Sequence, residues 1–430
     1  MIAETCSIPL ALDPDLPQRD LLLDANAMAQ IFAQELGAHG PIAVDGCERL
    51  RATYDAGHSL RVAYRVQSGE RSCIVAGRTF PAGACKQAYA REKWRTANGR
   101  PFRPVFRDAT IETIFWTFPN DRKIANLHLL VEMPESLARL LDFQWRESRV
   151  VAYAPEKCAT CQFLDQCGGV LAYAKIYADD YSKTCFSTYE ALSQSADGQN
   201  AELRFPRVVA HLDSQHILIL QALKGRRMAD LYESELLDGF KRLGRALGLL
   251  HGLPVPGHLP RLERFSREHL QETASTIGFV RPDLAGVAWG LYDELCGHLQ
   301  GLREPGVFLH GDIHPKNGIL LEQSIALIDL DQAACGPSAA DLGSLLAALR
   351  YEKHTGELSD GEERELADAF LSGYQSVAKL PEPESLRWHM AAALFGERCY
   401  RAVRRIRPRG LLCLHELLLD AKRVMTGSDR

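Results

Sequence analysis

The stretch from 306 to 345 constrains this chain more than any other. Val307, Phe308 and Leu309 deliver it to a polar loop, His310-Gly311-Asp312-Ile313-His314-Pro315-Lys316-Asn317. The loop holds a carboxylate at Asp312 and an amide five residues later at Asn317. Two short apolar runs follow, 319–321 and 325–328, with Gln323-Ser324 at the turn, and they predict a hairpin. The second run ends on another carboxylate, Asp329. One acid, one amide and a further acid are therefore expected at the mouths of adjacent strands. Phosphoryl transfer from a nucleotide needs such a set: a base for the attacking hydroxyl, and oxygen ligands for the magnesium that bridges the phosphates.

His-x-Asp with a following Asn, then an apolar strand ending in Asp, is the catalytic-loop and metal-loop pair of the kinase fold. The loop here reads His-Gly-Asp-x-His-x-x-Asn, and in that form it resembles the aminoglycoside phosphotransferase and choline kinase superfamily. The resemblance covers about 145–425. It implies an α+β, protein-kinase-like bilobal fold, with a β-rich N-lobe over 146–223 and a helical C-lobe over 224–430. An extra α+β cap over 1–145 precedes them, a layout similar to that of the maltokinases. The activity implied is ATP- and magnesium-dependent phosphorylation of a small-molecule hydroxyl on a sugar, amino sugar, aminoglycoside or amino alcohol. Asp312 would be the base, Asn317 and Asp329 the magnesium ligands, and His310 a brace for the loop. His314 stands where protein kinases have lysine, and Asp331 is expected to point away from Asp329. Asp341, opening the next helix, is the residue that braces the loop in the resembling family.

Upstream, Lys175 lies on an alternating strand, Leu171-Ala-Tyr-Ala-Lys-Ile-Tyr. It fits the lysine that reaches the α- and β-phosphates, with Glu190 on the next helix as its acidic partner. Gln221, Ala222 and Leu223, after an apolar strand, fit the hinge whose backbone meets adenine. Between the first two N-lobe strands stands Pro155-Glu156-Lys157-Cys158, with no Gly-x-Gly. Residues at about 60–120 repeat the strand plan of 149–223, with Arg78 where Lys175 sits, and read as a degenerate N-lobe copy. Further on, apolar residues at helical spacing predict a helix from Glu233 to His251, and 386–425 reads as two helices carrying Arg398, Arg401, Arg404, Arg405, Arg407 and Arg409. Such a basic run ordinarily forms a solvated face, the alternative being that it meets an anionic substrate or a partner.

Composition excludes other classes. A net charge of −5 argues against nucleic acid as the main partner, and no stretch reaches the length of a membrane span. Met1–Ser7 has no basic region leading into a long apolar core, so no export signal is expected. The 12 cysteines are scattered, which suits reduced thiols in the cytoplasm. Cys158, Cys161 and Cys167, with Cys185, hint at zinc, but no second Cys or His pair follows and a reduced thiol cluster is the default. Acceptor identity, the choice of ATP over GTP and oligomeric state are not in the sequence. Two rivals stand beside the small-molecule kinase. A pseudokinase-like nucleotide-binding scaffold is kept open by the missing glycines. A protein kinase is opposed by the short segment between Asp329 and the next helix.

Overall fold

Alternation governs the first half of the chain. Leu60, Val62, Tyr64 and Val66 are buried on one face of their strand, and Ala63 on the other. The computed structural model describes residues 10–91, 101–132, 137, 141, 145–194, 202–263, 265–298 and 305–428. Met1–Ser7 lies outside them.

Five antiparallel strands form the first sheet: β1 (Gly46–Asp55), β2 (Ser59–Ser68), β3 (Arg71–Thr79), β4 (Val105–Asp108) and β5 (Thr113–Thr117), in the order β1-β2-β3-β5-β4. Next come β6 (Glu147–Ala154), β7 (Cys158–Leu164), β8 (Val170–Tyr177), β9 (Leu203–Arg204), β10 (Val208–Leu212) and β11 (Ile217–Gln221). All but β9 form a second antiparallel sheet, ordered β6-β7-β8-β11-β10. The two sheets share one topology. Each has a helix between its third and fourth strands, Ala84–Arg91 in the first and Tyr181–Gln194 in the second. The register matches as well. Arg78 pairs with Ile114, the second residue of β5, and Lys175 pairs with Leu218, the second residue of β11. The shared strand plan reaches beyond the stretch read at about 60–120, back to β1.

The rest is largely helical. Phe240, Leu243, Leu247 and Leu250 on the helix Glu233–His251 are buried against Phe370 and Tyr374 of the helix Asp360–Gln375. The two helices approach closely through Gly373, where a Cβ would stand 1.8 Å from the Lys241 carbonyl oxygen. Ser359 and Glu362 close a capping box at the start of the second helix. Short strands thread this region: β12 (Arg226–Arg227), β13 (Val307–Leu309), β14 (Gly318–Leu320), β15 (Ile325–Leu327) and β16 (Ala334–Gly336). β14 and β15 are the hairpin expected after the polar loop.

The tail departs from two plain helices. The helix Pro383–Ala393 widens into a π-helical segment, Leu394–Cys399, and resumes over Tyr400–Arg404. It breaks at Ile406, whose φ is 48°, before Pro408–Leu412 and Leu414–Thr426. One core joins this tail to the first sheet: Tyr64 and Phe115 belong to the same buried cluster as Trp388 and Phe395.

Candidate active site

The polar loop is held from beneath. The fully buried Asp341 carboxylate accepts the backbone N–H of His310 at 2.7 Å and of Gly311 at 2.9 Å, and it lies 3.3 Å from His251 Nε2. Asp341 is not the cap of its helix, because Pro337 occupies that place. The His310 ring is buried, and burial lowers its proton affinity, so it is neutral. Its Nε2–H donates to the Ile328 carbonyl at 3.1 Å, and its Nδ1 accepts the Asp312 N–H at 3.3 Å. These two bonds assign the tautomer. Gly311 has φ 81°, and a Cβ there would stand 1.8 Å from the Gln332 carbonyl oxygen, so no larger residue fits.

Asp312 projects from this loop. Its carboxylate lies 3.6 Å from His314 Nε2 and 3.6 Å from Arg401 Nη1. Burial pushes its proton affinity up, but His314 and the Arg401 guanidinium outweigh that and hold the carboxyl well below its usual range. Asn317 is buried, and its Nδ2 donates to the Asp312 carbonyl at 2.9 Å. The amide oxygen is thereby left as its ligand atom.

Lys175 meets the other end of the cassette. Its Nζ lies 2.7 Å from Asp329 Oδ1 and 2.5 Å from Asp331 Oδ2. Asp329 is left-handed, with φ 63°, and the 3-10 turn Leu330–Gln332 follows at once. That bend returns Asp331 to the same ammonium, where an opposite orientation was expected. Tyr177 Oη donates to Asp331 at 2.9 Å. Burial opposes ionisation of both carboxyls. Lys175 outweighs it at Asp329, which sits below the usual range, whereas Asp331, also facing the Asp329 charge, sits above it.

Glu190 is not the partner of Lys175: among the described residues no hydrogen bond or ion pair joins them. On the helix Tyr181–Gln194 the side turned to this loop carries Tyr181, whose hydroxyl donates to the Asp331 carbonyl, Cys185, 3.5 Å from Asp331 Oδ1, and Tyr189. These residues are four apart and share a face, and Glu190 lies a hundred degrees around from it.

The β6–β7 turn, where kinases carry glycines, is pinned instead. Glu156 is left-handed, with φ 62°. Its carboxylate accepts from Arg78 at 2.7 Å and from Arg122, and its N–H donates to Asp121 Oδ2 at 3.0 Å. At the hinge the N–H of Gln221 donates to Arg207 and that of Ala222 to Leu171. Among the described residues the Leu223 N–H has no backbone partner.

Residues 174–389 match the model of the phosphotransferase enzyme family. The chain belongs to that family. No curated protein sequence matches it. Several solved phosphotransferase structures are similar. Amicoumacin kinase hAmiN, in complex with AMP-PNP, Ca2+ and Ami, is 17% identical with a TM-score of 0.50, covering 69% of this chain and 93% of its own. The streptomycin–ATP complex of APH(2'')-IIa is 15% identical, TM-score 0.48, with 68% and 97% covered. Choline kinase from Cryptosporidium parvum Iowa II is 14% identical, TM-score 0.47, with 65% and 89% covered. The first likeness shows the fold, α+β and protein-kinase-like.

Within this phosphotransferase, strand β8, the polar loop and the 329–331 turn bring Lys175, Asp312, Asn317 and Asp329 into one group. Sequence reasoning placed Asp331 outside it and read Arg401 as part of a solvated face. Neither could be recovered from spacing, since one depends on the bend at Asp329 and the other on the π-helical segment. Cys158 and Cys161 lie three apart on β7 and so face opposite sides of the strand. Among the described residues no group of three or more His, Cys, Asp or Glu is placed to hold a metal ion, and no helix is long and apolar enough to cross a membrane.

Proposed function

We propose that this phosphotransferase moves the γ-phosphoryl group of ATP to a hydroxyl of a small molecule, with magnesium. The observation that carries the reading is the meeting of Lys175 with Asp329 and Asp331 beside a loop that presents Asp312. A lysine between two carboxylates, close to a third, suits a polyphosphate and its cation. The donor set fits magnesium: the Asn317 amide oxygen and the Asp329 carboxylate are hard oxygen ligands. When bound, the ion would neutralise charge on the phosphate oxygens.

The chain's own groups divide the remaining work. Lys175, released from its carboxylates, holds the α- and β-phosphates. The free Leu223 N–H and the hinge carbonyls receive the adenine edge. Asp312 orients the acceptor hydroxyl and takes its proton. Its low proton affinity makes it a weak base, which suffices because phosphoryl transfer runs through a loose transition state and the proton moves late. Its role is chiefly positioning the hydroxyl in line. The boundaries proposed are a cap over 1–145, an N-lobe over 146–223 and a C-lobe over 224–430. The matching topology of the two sheets supports the cap as a degenerate copy, with Arg78 turned from nucleotide to Glu156. A soluble cytoplasmic protein fits this reading.

Few residues separate Asp329 from the helix Ser338–His354, which leaves no segment on which a peptide could dock and disfavours a protein kinase. The test is ADP release with ATP and magnesium against a panel of hydroxyl acceptors, beside Asp312→Asn. Loss of a positioned base costs about 100- to 10,000-fold in kcat. Acceptor-dependent release that persists in the variant would remove Asp312 as the base, and ATP binding without any acceptor-dependent release would leave only the scaffold reading.

A further inference from the structure

A cavity of about 310 Å³ opens beside Asp312. Six cations line it. Arg51 and Arg61 come from β1 and β2, Lys157 from the β6–β7 turn, and Arg401, Arg404 and Arg405 from the helix Tyr400–Arg404 and its C-terminal end. Among the described residues its only lining carboxylate is Glu397, which accepts from Ser344 Oγ at 2.7 Å and lies 3.5 Å from Arg398. Three of the cations have partners in the protein. Arg404 donates to the Tyr54 carbonyl at 3.1 Å and to the Tyr400 hydroxyl at 3.0 Å. Arg61 stands 3.9 Å from Glu156, and Arg401 reaches Asp312.

Arg51 and Arg405 differ. Neither makes a side-chain hydrogen bond or ion pair among the described residues, and nor does Lys157. Removal from water weakens proton binding at Arg51, and the charge of Arg407 adds to this. At Arg405, open at the cavity mouth, the surrounding protein and the charges of Arg51, Arg401 and Arg407 act the same way, against the attraction of Asp312. Cys158 opposes this at Arg51, and neither attraction outweighs it. The backbone is shaped to gather these charges. The π-helical segment supplies Gly396 and Glu397 to the wall, and the left-handed Ile406 ends the helix one residue after Arg405. Insertions of this kind recur at functional sites. A groove lined by Arg65, Tyr153 and Arg407 continues from the same two arginines.

We propose that the acceptor of this phosphotransferase is an anionic hydroxyl compound whose phosphate or carboxylate group is held by Arg51 and Arg405 in the cavity beside Asp312. The inference rests on the kinase reading for its hydroxyl end and extends it to the substrate class. A polycationic amino sugar would meet six cations there and be repelled. The first sheet thus supplies half of the acceptor site through β1.

Two measurements on the full chain test this. In the first, inorganic phosphate is titrated against thermal unfolding at constant ionic strength. Phosphate raises Tm in the wild type and in Lys175→Ala. The double variant Arg51→Gln/Arg405→Gln needs about 10- to 100-fold more phosphate for the same shift, the loss of charge-assisted hydrogen bonds. Without phosphate the double variant unfolds no lower than wild type, because removing like charges relieves repulsion. If it does not fold, Arg405→Gln alone serves. A phosphate response absent from the wild type, or one that follows Lys175 instead, overturns the anion site.

The second measures ADP release with a neutral sugar, its 6-phosphate, its 6-acid and its 2-amino form. The proposal expects an anionic member to be preferred, with phosphate and carboxylate separated by the two arms. Its KM rises about 10- to 100-fold in the double variant, while KM for ATP stays within about threefold. Preference for the neutral or amino sugar, or a rise in KM for ATP alone, overturns it. If no acceptor turns over and ATP does not bind, the kinase reading fails, and the phosphate titration still judges the anion site by itself.

Discussion

At residue scale, the site depends on a few atoms that allow no substitute. Gly311 combines a positive φ with a Gln332 oxygen where its Cβ would be. Gly311→Ala should therefore displace the polar loop, costing about 2 kcal/mol or more of stability and most of the turnover; urea unfolding beside ADP release checks both. An unchanged midpoint would mean that the loop yields at no cost. Asp312, Asn317 and Asp329 could be picked out of the sequence because the roles proposed for them require fixed separations along the chain. The acid beside Lys175 was not. The Lys175 ammonium takes whichever carboxylate the backbone brings closest, and the left-handed turn at Asp329 that decides this has no signature in residue type. Glu190 has the right chemistry on the wrong face of its helix.

Elements carry the next layer. The β6–β7 turn lacks glycine, and Glu156 explains how it keeps its shape: Arg78 of β3 and Arg122 grip its carboxylate. Replacing Glu156 by Gln leaves these guanidiniums without their counter-charge. That should cost about 2–4 kcal/mol and raise KM for ATP; a variant with wild-type stability and KM would show that the turn does not depend on the first sheet. The tail offers a separate test. Asp420 on the helix Leu414–Thr426 is buried, with His354 Nε2 at 3.0 Å, Arg350 at 3.5 Å and Arg423 at 3.1 Å. Burial raises its proton affinity, but His354 and the arginines bring its pKa down to about 2. A carboxyl depressed in the folded state adds stability above its unfolded value, near 4, and loses it as pH falls toward 2. Asp420→Asn should thus lower stability at pH 6 by about 2–3 kcal/mol, and the gap to wild type should narrow below pH 4. A gap that does not change with pH would assign the loss to packing. The helix Glu233–His251 was readable from spacing alone. Strand β1 was not, because it alternates Glu48, Arg49 and Arg51 with few apolar residues, and only Ala52 and Tyr54 are buried.

At the scale of the whole molecule, two sheets of one topology face one helical body. The second sheet brings Lys175 to Asp329 and Asp331. The first brings Arg51 and Arg61 to the cavity at Asp312 and, through Arg78, holds the turn above it. We propose that this assembly makes a phosphomonoester from ATP and a hydroxyl compound. The most direct measurement is 31P NMR of a reaction of the full chain with ATP, magnesium and the hydroxyl panel, run beside Asp312→Asn. The account predicts a new phosphomonoester resonance that grows as ADP appears and is absent in the variant. ADP that forms with inorganic phosphate alone, or a monoester that forms equally in the variant, would contradict it.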